Sequence, residues 1–390
     1  MRKSSRWIHV SSVVVAAAAV LNPATECAAQ PAAHASPSRP AAAATTPLAP
    51  EQLERIRSTI KAAMDEHGIP GVGAAVGVDG TLAWSDGFGM ADVENQVPVT
   101  SETVFRLASI SKPVTAVAAL KLVEAGKLNL DAPIQEYVPE FPSKQAPITT
   151  RQLLGHLGGI RHYRGTAEMD STRRYADPVE AIRQFSKDDL EAPPGHKYEY
   201  STFGFVLAGA VVQRAAGEPF MGFVEQCLNS GGTKIRIIAD DARRIIPGRA
   251  RGYARTADGV LENCRLADTS NKVPGGGMCS RPRDLVEFAL ALSRGEILSP
   301  SSLDLMWTPG RTSDGNETEY GLGWAVAVRD GRTFVAHSGG QQGTSTCLVL
   351  WPEQRAAAAV MCNLERVPAE ELATRIADLL VTSDASASSP

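Results

Sequence analysis

The stretch SISKPVTAVAALKLVEAG, residues 109–126, predicts a helix that is apolar on nearly every side. Pro113 falls in the first turn, where a proline is tolerated, and Gly126 stands where the helix is expected to stop. A helix without a polar face is buried in the folded protein. We therefore expect this helix to lie at the centre of a core, and we interpret the rest of the chain around it.

Segments near both ends of the chain predict strands and covering helices. Residues 51–67 carry an apolar stripe at helical spacing, which Gly68 ends. After Pro368, leucines and an isoleucine at helical spacing predict a closing helix. The strand signals are three pairs of apolar runs: VGAAVGV and TLAWSDG around Asp79-Gly80, YGLGWAVAV and RTFVAHS around Asp330-Gly331, and TSTCLVLW and AAAAVMCN around Pro352.

The middle of the chain, about residues 103–292, is largely helical in pattern, apart from short strand-like pieces in residues 231–271. The fold class predicted is α+β. An antiparallel sheet formed from both chain ends, with flanking terminal helices, carries an inserted, mostly helical domain. We expect a sheet subdomain at about 51–102 and 310–381, a helical subdomain at about 103–309, and a ligand cleft between them.

The N-terminal segment is typical of a targeting sequence. Arg2, Lys3 and Arg6 precede an apolar run that ends at Leu21, and small residues follow as far as Ala29. This order predicts a signal peptide over residues 1–29 and export to the periplasm or the extracellular space. A mitochondrial presequence is the alternative, because no acidic residue precedes Glu26. Residues 30–50, rich in Pro and Ala, predict a disordered linker, and residues 382–390 a disordered tail.

Composition narrows the function classes. The chain has 390 residues, of which 43% are hydrophobic and 21% charged, with a net charge of −4. This balance gives no electrostatic case for nucleic acid as a partner, and no run of 18 apolar residues predicts a transmembrane span. The cysteines beyond residue 29 form no CxxC pair, so no metal site and no redox pair is predicted. One disulfide stays open as an alternative. No cofactor is expected.

Ser109 and Lys112 stand one helical turn apart at the start of the apolar helix, on the same face. The free N–H groups of a helix N-terminus stabilise an oxyanion. A lysine in a dry site has a lowered pKa and can act as a base, and serine needs such a neighbour to become nucleophilic. An N-cap serine beside a lysine that reaches solvent is the alternative.

A second Ser-x-x-Lys sequence, Ser58 to Lys61, serves as an internal comparison. On a helical projection Ser58 lies nearly opposite the apolar stripe of the first predicted helix. We therefore expect this pair to lie on a solvated face.

Two further motifs supply partners that a catalytic serine would need. KYEYSTFGF places Tyr200 just before an apolar helix, where a tyrosine is most often a core or cap residue. VAHSGGQQG places His337 and Ser338 on a strand, followed by Gly339 and Gly340. A Gly-Gly pair in a strand marks a bulge or a close backbone approach by another molecule. A histidine on the sheet surface is the alternative for His337.

Together these motifs resemble the penicillin-recognising serine hydrolases, whose signature is Ser-x-x-Lys, Tyr-x-Asn and Lys-Thr-Gly in that order. The chain looks like the class C beta-lactamase and D-peptidase branch, and within it like the serine beta-lactamase-like protein of mitochondria and its bacterial relatives. The resemblance covers about residues 51–363. It is carried by FRLASISKPVTAVAALKLVEAGKLNLDAPIQEYVPEFP, LLGHLGGIRHY, YSTFGFVLAGAVVQRAAG, PGGGM, YGLGWAV and HSGG.

The resemblance implies the catalytic roles. Ser109 would attack a carbonyl and form an acyl-enzyme, and Lys112 would accept or relay its proton. Tyr200, paired with Lys112, would protonate the leaving group and later activate the deacylating water. Backbone N–H groups of Ser109 and Gly340 would form the oxyanion hole. The recurrent family histidine, His156, is expected to be structural.

The substrate-binding positions depart from the family pattern. His337, Ser338 and Gly339 stand where the family has the Lys-Thr-Gly that binds a substrate carboxylate. Thr202 stands where an asparagine would hold a substrate amide, and a hydroxyl cannot supply both functions of that amide. His337 is charged at pH 7 only if its pKa is raised. Both departures weaken the case for efficient penicillin hydrolysis.

These residues predict a secreted serine hydrolase that acts on a small-molecule or peptide substrate, first of all a peptidase for D-amino-acid peptides or a lactamase-like peptidase. An esterase or a weak beta-lactamase on the same site is the alternative within this class. A non-turnover penicillin-binding sensor, or a filament-forming scaffold such as the mitochondrial relative, is the alternative of another class. The sequence leaves the oligomeric state open, a homo-oligomer included.

Overall fold

A computed structural model describes residues 48–329 and 331–381 of the chain. The predicted signal peptide, nearly all of the predicted linker and the predicted tail lie outside the described residues. The helices are α1 (Pro50–His67), α2 (Ser111–Glu124), α3 (Thr150–Leu154), α4 (Thr166–Met169), α5 (Pro178–Ala181), α6 (Thr202–Ala216), α7 (Phe220–Asn229), α8 (Val273–Gly276), α9 (Pro282–Ser293), α10 (Pro300–Trp307) and α11 (Ala369–Val381). The 3-10 turns are Ala108–Ile110, Ile134–Glu136, Ile182–Gln184 and Thr269–Lys272.

The strands form one large and two small sheets. They are β1 (Gly71–Val78), β2 (Thr81–Asp92), β3 (Val97–Pro98), β4 (Phe105–Arg106), β5 (Ile237–Ala239), β6 (Tyr253–Arg255), β7 (Leu261–Asn263), β8 (Met278–Ser280), β9 (Ala325–Arg329), β10 (Arg332–Gln341), β11 (Thr344–Trp351) and β12 (Ala356–Cys362). The large sheet runs β3-β2-β1-β12-β11-β10-β9, and the small sheets are β4-β8-β5 and β6-β7.

The large sheet is antiparallel throughout and is built from both ends of the chain, as predicted. Strand β1 pairs with β12, which places Val72 opposite Cys362 at the centre of the sheet. At the predicted first hairpin, Asp79 and Gly80 both have positive φ, as the tight turn of a two-residue hairpin requires. Strands β9 and β10 pair as predicted, although Asp330 between them lies outside the described residues.

Helices cover both faces of the large sheet. The terminal helices α1 and α11 pack together on one face, where Ile56, Ile60 and Ile376 are buried against apolar residues of β1, β11 and β12. Helix α9 lies against β1 and β12 in the other cluster. A Cβ on Gly77 would lie 2.5 Å from Leu290 of α9, so this glycine allows the helix to approach the strand closely. The prediction that the terminal helices share one face is confirmed.

The apolar stretch that opened the sequence analysis forms the buried helix α2. Its residues from Ser111 to Leu120 are all buried, and it packs against α6, α7 and α8. No polar face is exposed along this segment, so Lys112 enters the core together with the helix that carries it. The 3-10 turn at Ala108–Ile110 joins the helix to strand β4.

The middle of the chain differs from its predicted pattern in two places. Helix α3 spans only five residues, Thr150–Leu154, because His156 just after it adopts a left-handed φ of +58° that ends the helix. Strands β5, β6 and β7 lie within residues 231–271, where the sequence predicts short strand-like pieces, whereas β4 and β8 are additional strands of two and three residues, too short to show periodicity.

Two further expectations concern a disulfide and a transmembrane span. The five cysteines in the described part of the chain are all free thiols, so the disulfide alternative does not occur among them. Within residues 48–329 and 331–381, no helix combines the length and the apolar character that a membrane span needs.

Candidate active site

Ser109 lies in the 3-10 turn that precedes α2, half-buried beside strand β10. Ala108 before it has a φ of +49°, a left-handed conformation that L-residues seldom adopt and that often marks functional sites. Ser111 anchors the turn, because its hydroxyl donates to the carbonyl of Ala108 at 2.8 Å and accepts from the N–H of Met278 at 3.2 Å. The serine is therefore presented on a strained turn that two neighbouring segments hold in place.

Lys112 is fully buried one turn further along the chain. Its Nζ lies 3.0 Å from Ser109 Oγ, 2.7 Å from the carbonyl oxygen of Gly275 in α8 and 3.3 Å from Thr202 Oγ1 in α6. The structure thus brings Ser109, Lys112 and Thr202 into contact. The Gly275 carbonyl is the third polar neighbour of the amine. It belongs to the glycine run PGGGM, and nothing in the sequence indicates that this run contacts the lysine.

Burial and a like charge both act on the Lys112 amine. Desolvation lowers the pKa of Lys112 well below its ordinary value, and the positive charge of Lys272 lowers it further. Lys272 is itself buried, with its Nζ donating to the carbonyl of Met169 at 2.9 Å. Desolvation, followed by the charge of Arg106, lowers the pKa of Lys272 to about 8. These conditions favour a neutral amine at Lys112, as a general base requires.

Tyr200 lies just before α6 and covers the lysine. Lys112 Nζ sits 4.7 Å from the centre of the Tyr200 ring. Desolvation raises the pKa of Tyr200 above its ordinary value, while a hydrogen bond with Ser109 acts in the opposite direction. The phenol is therefore protonated near neutral pH, and its hydroxyl meets the serine while its ring contacts the lysine.

Thr202 is the first residue of α6 and is buried. Its hydroxyl accepts from Lys112 Nζ, and its backbone N–H donates to Nδ1 of His162 at 3.1 Å. A Cβ on Gly275 would lie 2.7 Å from the Thr202 methyl group, so α8 packs directly against this residue. Its hydroxyl is thus engaged with the lysine.

His337 is buried on β10, where both ring nitrogens have partners. Nε2 lies 2.9 Å from the Tyr320 hydroxyl, and Nδ1 lies 2.6 Å from the carbonyl of Ser338. A carbonyl only accepts, so Nδ1 carries the proton and Nε2 accepts from Tyr320. Desolvation and the charge of Lys112 lower the pKa of His337 to about 3. The ring is therefore neutral at pH 7, unlike the lysine of the family pattern.

The glycines of β10 lie against the serine turn. A Cβ on Gly339 would lie 2.4 Å from the Leu107 carbonyl and 3.0 Å from the backbone N of Ser109, whereas a Cβ on Gly340 would meet nothing within 4 Å. Only glycine at position 339 therefore allows the strand to approach the backbone of Ser109 this closely. Gly340 is exposed next to it, with open space on its side-chain face.

Strand β10 contacts the serine turn and also borders a cavity. Strand β9 pairs with β10 only as far as Ala336, so the β9-side edge of β10 has no strand partner from His337 to Gln341 among the described residues. A cavity of about 1040 Å³ lies along residues 338–341 of the strand, and Ser109, Lys112 and Tyr200 are not among the residues that line it. It is lined by Ser338, Gly339, Gly340 and Gln341 of β10, by Thr166 and Met169 of α4, and by residues of β6 and the start of α11.

The Ser58–Lys61 pair is solvent-exposed, as predicted. Both residues are exposed on α1, and the Ser58 hydroxyl donates to the Arg55 carbonyl at 3.0 Å instead of meeting the lysine. The same four-residue pattern therefore gives a solvated face on α1 and a buried contact on α2. The apolar surroundings of α2 make the difference.

Several residues around the site were not singled out from the sequence. Lys272 supplies the positive charge that acts on Lys112. The Tyr320 hydroxyl forms a hydrogen bond with His337, and His162 accepts a hydrogen bond from the backbone N–H of Thr202. The block LLGHLGGIRHY contains His162 six residues after His156, and that spacing is the only signal for it. Tyr320 opens the block YGLGWAV, whereas Lys272 lies outside the quoted blocks. Neither position indicates a contact with the site, so both roles depend on the folded structure.

The chain belongs to the beta-lactamase family, because the family model for beta-lactamase matches residues 56–381. This family groups serine beta-lactamase-like hydrolases. The chain is 30% identical over 476 residues to the "Serine beta-lactamase-like protein LACTB, mitochondrial" of Mus musculus, covering 88% of this chain and 86% of the relative. The predicted resemblance is confirmed at the level of the family.

Solved structures give the same result for the fold. The octameric penicillin-binding protein homologue from Pyrococcus abyssi superimposes with a TM-score of 0.72 at 26% identity, covering 84% of this chain and 77% of that one. The D-amino acid amidase from Ochrobactrum anthropi SV3, complexed with D-phenylalanine, gives a TM-score of 0.71 at 26% identity, covering 84% and 99%. The α+β fold class is thereby confirmed.

Proposed function

We propose that this chain is a serine hydrolase in which Ser109 forms an acyl-enzyme. The observation that carries the proposal is the buried Lys112 amine, 3.0 Å from Ser109 Oγ. A neutral amine has two hydrogens and one lone pair. The Gly275 carbonyl and Thr202 Oγ1 can accept the two hydrogens, so the lone pair is left for the Ser109 hydroxyl. Lys112 is then placed to accept the proton as Ser109 attacks.

The remaining steps follow from the neighbouring groups. Ser109 Oγ adds to the substrate carbonyl, and backbone N–H groups of Ser109 and Gly340 bind the oxyanion. Tyr200 gives its hydroxyl proton to the leaving group, and the proton held by Lys112 restores the phenol. A water molecule then repeats the attack on the acyl-enzyme, with Lys112 and Tyr200 in the reverse roles. Each proton given up in acylation is returned, so the cycle balances.

We propose a peptidase for D-amino-acid peptides or amides as the first substrate class. The likeness to the D-amino acid amidase supports it, and so does the unpaired edge of β10, which can align an extended main chain. The catalytic domain is proposed to span residues 51–381. An esterase is the second candidate, because the neutral His337 offers no permanent cation to a substrate carboxylate. A weak beta-lactamase is the third.

A labelling experiment tests the acyl-enzyme. Purified protein is treated with a fluorescent fluorophosphonate, and the wild type is expected to label stoichiometrically while Ser109→Ala does not. Ser58→Ala, which removes the exposed serine of the other Ser-x-x-Lys sequence, is the matched control and should label like the wild type. Equal labelling of wild type and Ser109→Ala would remove the basis for a catalytic serine.

A substrate panel ranks the classes: a D-Ala-D-Ala peptide, a D-amino acid amide, a short acyl ester and nitrocefin. We expect the highest kcat/KM for the peptide or the amide. Nitrocefin hydrolysis at the rate of the best substrate would reverse the order. A protein that labels with a fluorescent penicillin but turns over nothing would instead be a sensor, the alternative of another class.

We also propose that residues 1–29 are a targeting segment and that the folded chain is a homo-oligomer. The order of basic, apolar and small residues in residues 1–29 favours export to the periplasm or the extracellular space. The name of the mouse relative supports the mitochondrial alternative, and the octameric state named for the Pyrococcus abyssi protein supports assembly. Cell fractionation and N-terminal sequencing of the mature protein decide the destination. Analytical ultracentrifugation tests the assembly, for which a single monomeric species would be the contrary result and long filaments would favour the scaffold alternative.

A further inference from the structure

Two histidines accept consecutive backbone N–H groups at the start of α6. The N–H of Ser201 donates to Nδ1 of His156, and the N–H of Thr202 donates to Nδ1 of His162, each at 3.1 Å. These groups belong to the unsatisfied donors that every helix N-terminus presents. Side-chain oxygens usually satisfy them. Here two imidazoles do so, directly beside Tyr200.

The same two rings contact Tyr200 itself. The His156 ring centre lies 4.3 Å from that of Tyr200, and the His162 ring meets Tyr200 edge-on at 5.8 Å. The backbone carbonyl of His156 also accepts the N–H of Glu199 at 2.9 Å. The residues on both sides of Tyr200 are thus tied to His156, and the phenol is held between two imidazole rings.

The hydrogen bonds define the state of both rings. Each Nδ1 accepts, so in each neutral ring the proton is on Nε2. For His156 this Nε2 is buried and has no hydrogen-bond partner among the residues that the structure describes. An unpartnered buried donor costs about 1–3 kcal/mol, and a phenylalanine would avoid this cost. We therefore attribute the presence of a histidine at position 156 to Nδ1, which accepts the hydrogen bond from the Ser201 N–H.

The surroundings keep these acceptors available. His156 has its pKa lowered by burial and by Lys112, His337 and His162. Desolvation, Lys112, Lys272 and Arg161 lower the pKa of His162 against the opposing charge of Glu168, although His162 is solvent-exposed. Protonation of Nδ1 would break either bond, and the positive charges nearby disfavour it.

We propose that His156 and His162 are positioning residues for Tyr200: they fix residues 199–202 through backbone hydrogen bonds, so that the phenol meets the leaving group. This inference rests on the proposed function, in which Tyr200 protonates that group. An amine leaving group needs the proton, whereas p-nitrophenolate leaves without it. A defect in the placement of Tyr200 therefore slows the acylation step selectively for amides, whereas deacylation, in which Tyr200 also acts, is common to both substrates.

The test on His162 uses two variants and two leaving groups. His162→Phe keeps an aromatic ring but leaves the Thr202 N–H without its acceptor, whereas His162→Asn offers Oδ1 near the position of Nδ1. We expect the single-turnover rate of p-nitroaniline release to fall at least about tenfold in His162→Phe, with less than about threefold change in the single-turnover release of p-nitrophenolate from the matching ester. His162→Asn should recover most of the loss. His196→Phe, at an exposed histidine, is the matched control.

The test on His156 compares His156→Asn with His156→Gln, because the amide oxygen replaces Nδ1 only in the asparagine. We expect the asparagine variant to keep anilide turnover and the glutamine variant to lose it, at equal fractions of fluorophosphonate-labelled protein. Thermal melts of every variant are recorded alongside. Equal losses on both leaving groups that follow the melting temperature, or wild-type kinetics in His162→Phe, would overturn the positioning role.

Tyr200→Phe separates this inference from the proposed function. If Tyr200→Phe shows the selective loss and His162→Phe does not, the positioning role alone fails. If Tyr200→Phe cleaves the anilide like the wild type, Tyr200 is not the acid, and both the mechanism and the inference are wrong.

Discussion

Tyr320 donates a hydrogen bond to Nε2 of His337 across 2.9 Å, which fixes the histidine as a neutral ring whose other nitrogen donates to the Ser338 carbonyl. The ring is buried, and its place on β10 is that of a lysine in the family pattern. The site thus offers substrates a polar but uncharged wall at pH 7. If His337 contacts substrate as we propose, we expect this position to select substrates by shape and hydrogen bonding and not by charge.

Removal of the Tyr320 hydroxyl should destabilise the protein. In Tyr320→Phe the buried Nε2 of His337 loses its donor, so we expect the free energy of unfolding to fall by about 1–3 kcal/mol. Tyr198→Phe is the matched control, because the Tyr198 ring packs beside Tyr320 but is more exposed. Urea denaturation of both variants gives the comparison. Equal free energies of unfolding of the two variants would show that the Tyr320–His337 hydrogen bond makes no net contribution to stability.

Acid should destabilise the protein from about pH 6.5 downwards. The pKa of the buried His337 is lowered to about 3, so the folded protein leaves this ring unprotonated near pH 5, and burial also lowers the pKa of His156 well below its ordinary value. The unfolded chain protonates them below the ordinary histidine value of 6.5. Unfolding then takes up protons, and the free energy of unfolding falls by up to about 1.4 kcal/mol per pH unit for each ring.

Urea denaturation at pH 7, 6 and 5 measures this slope. His337→Gln should reduce the slope by about one proton, while His196→Gln, at an exposed histidine, should leave it as in the wild type. An unchanged slope in His337→Gln would mean that His337 takes up its proton in the folded protein as readily as in the unfolded chain.

Lys112 should not be replaceable by another cation. Arginine stays charged at every accessible pH and cannot accept the serine proton, so Lys112→Arg should lose at least about 10² in kcat/KM. Lys112→Ala should lose as much or more. The rate of fluorophosphonate labelling measures the effect on acylation. Lys121→Arg, at the exposed end of α2, is the control and should react like the wild type.

Gly339→Ala should disrupt the contact between β10 and the serine turn. The new Cβ would lie 2.4 Å from a backbone carbonyl and cannot be relieved by a side-chain movement. We expect a loss of stability of about 1–3 kcal/mol together with loss of Ser109 labelling. Gly340→Ala is the matched control for stability, because its Cβ enters open space. A thermal melt of Gly339→Ala that matches the wild type would contradict the expected clash.

The parts of the fold that could be predicted are those that regular patterns encode. The apolar residues of α2 predict its burial, and the alternation of strands and turns at both ends predicts the sheet. The contrast between Ser58 and Ser109 could also be predicted, because it depends on the helix that carries each serine. These signals are local, and a single sequence is enough to read them.

The contacts around the site could not be predicted in the same way. Tyr320 belongs to the block YGLGWAV and Gly275 to PGGGM, but neither block indicates that the tyrosine contacts His337 or that the glycine carbonyl contacts Lys112. Hydrogen bonds between distant segments leave no periodicity in either one. His156 was expected to be structural. Its left-handed backbone and its bond to Ser201 depend on tertiary contacts that no pattern of residue types specifies.

The interleaving of the two chain ends has a consequence for synthesis of the protein. Strand β12 lies between β1 and β11, and the serine turn contacts β10, so the Leu107 carbonyl accepts from Thr346, 239 residues further along the chain. A ribosome-bound chain that lacks the C-terminal strands cannot complete the sheet or the wall beside Ser109. The surroundings of Ser109 are therefore completed last. If Ser109 is the nucleophile we propose, a nascent or C-terminally truncated chain should be inert toward acyl compounds until Cys362 has left the ribosome.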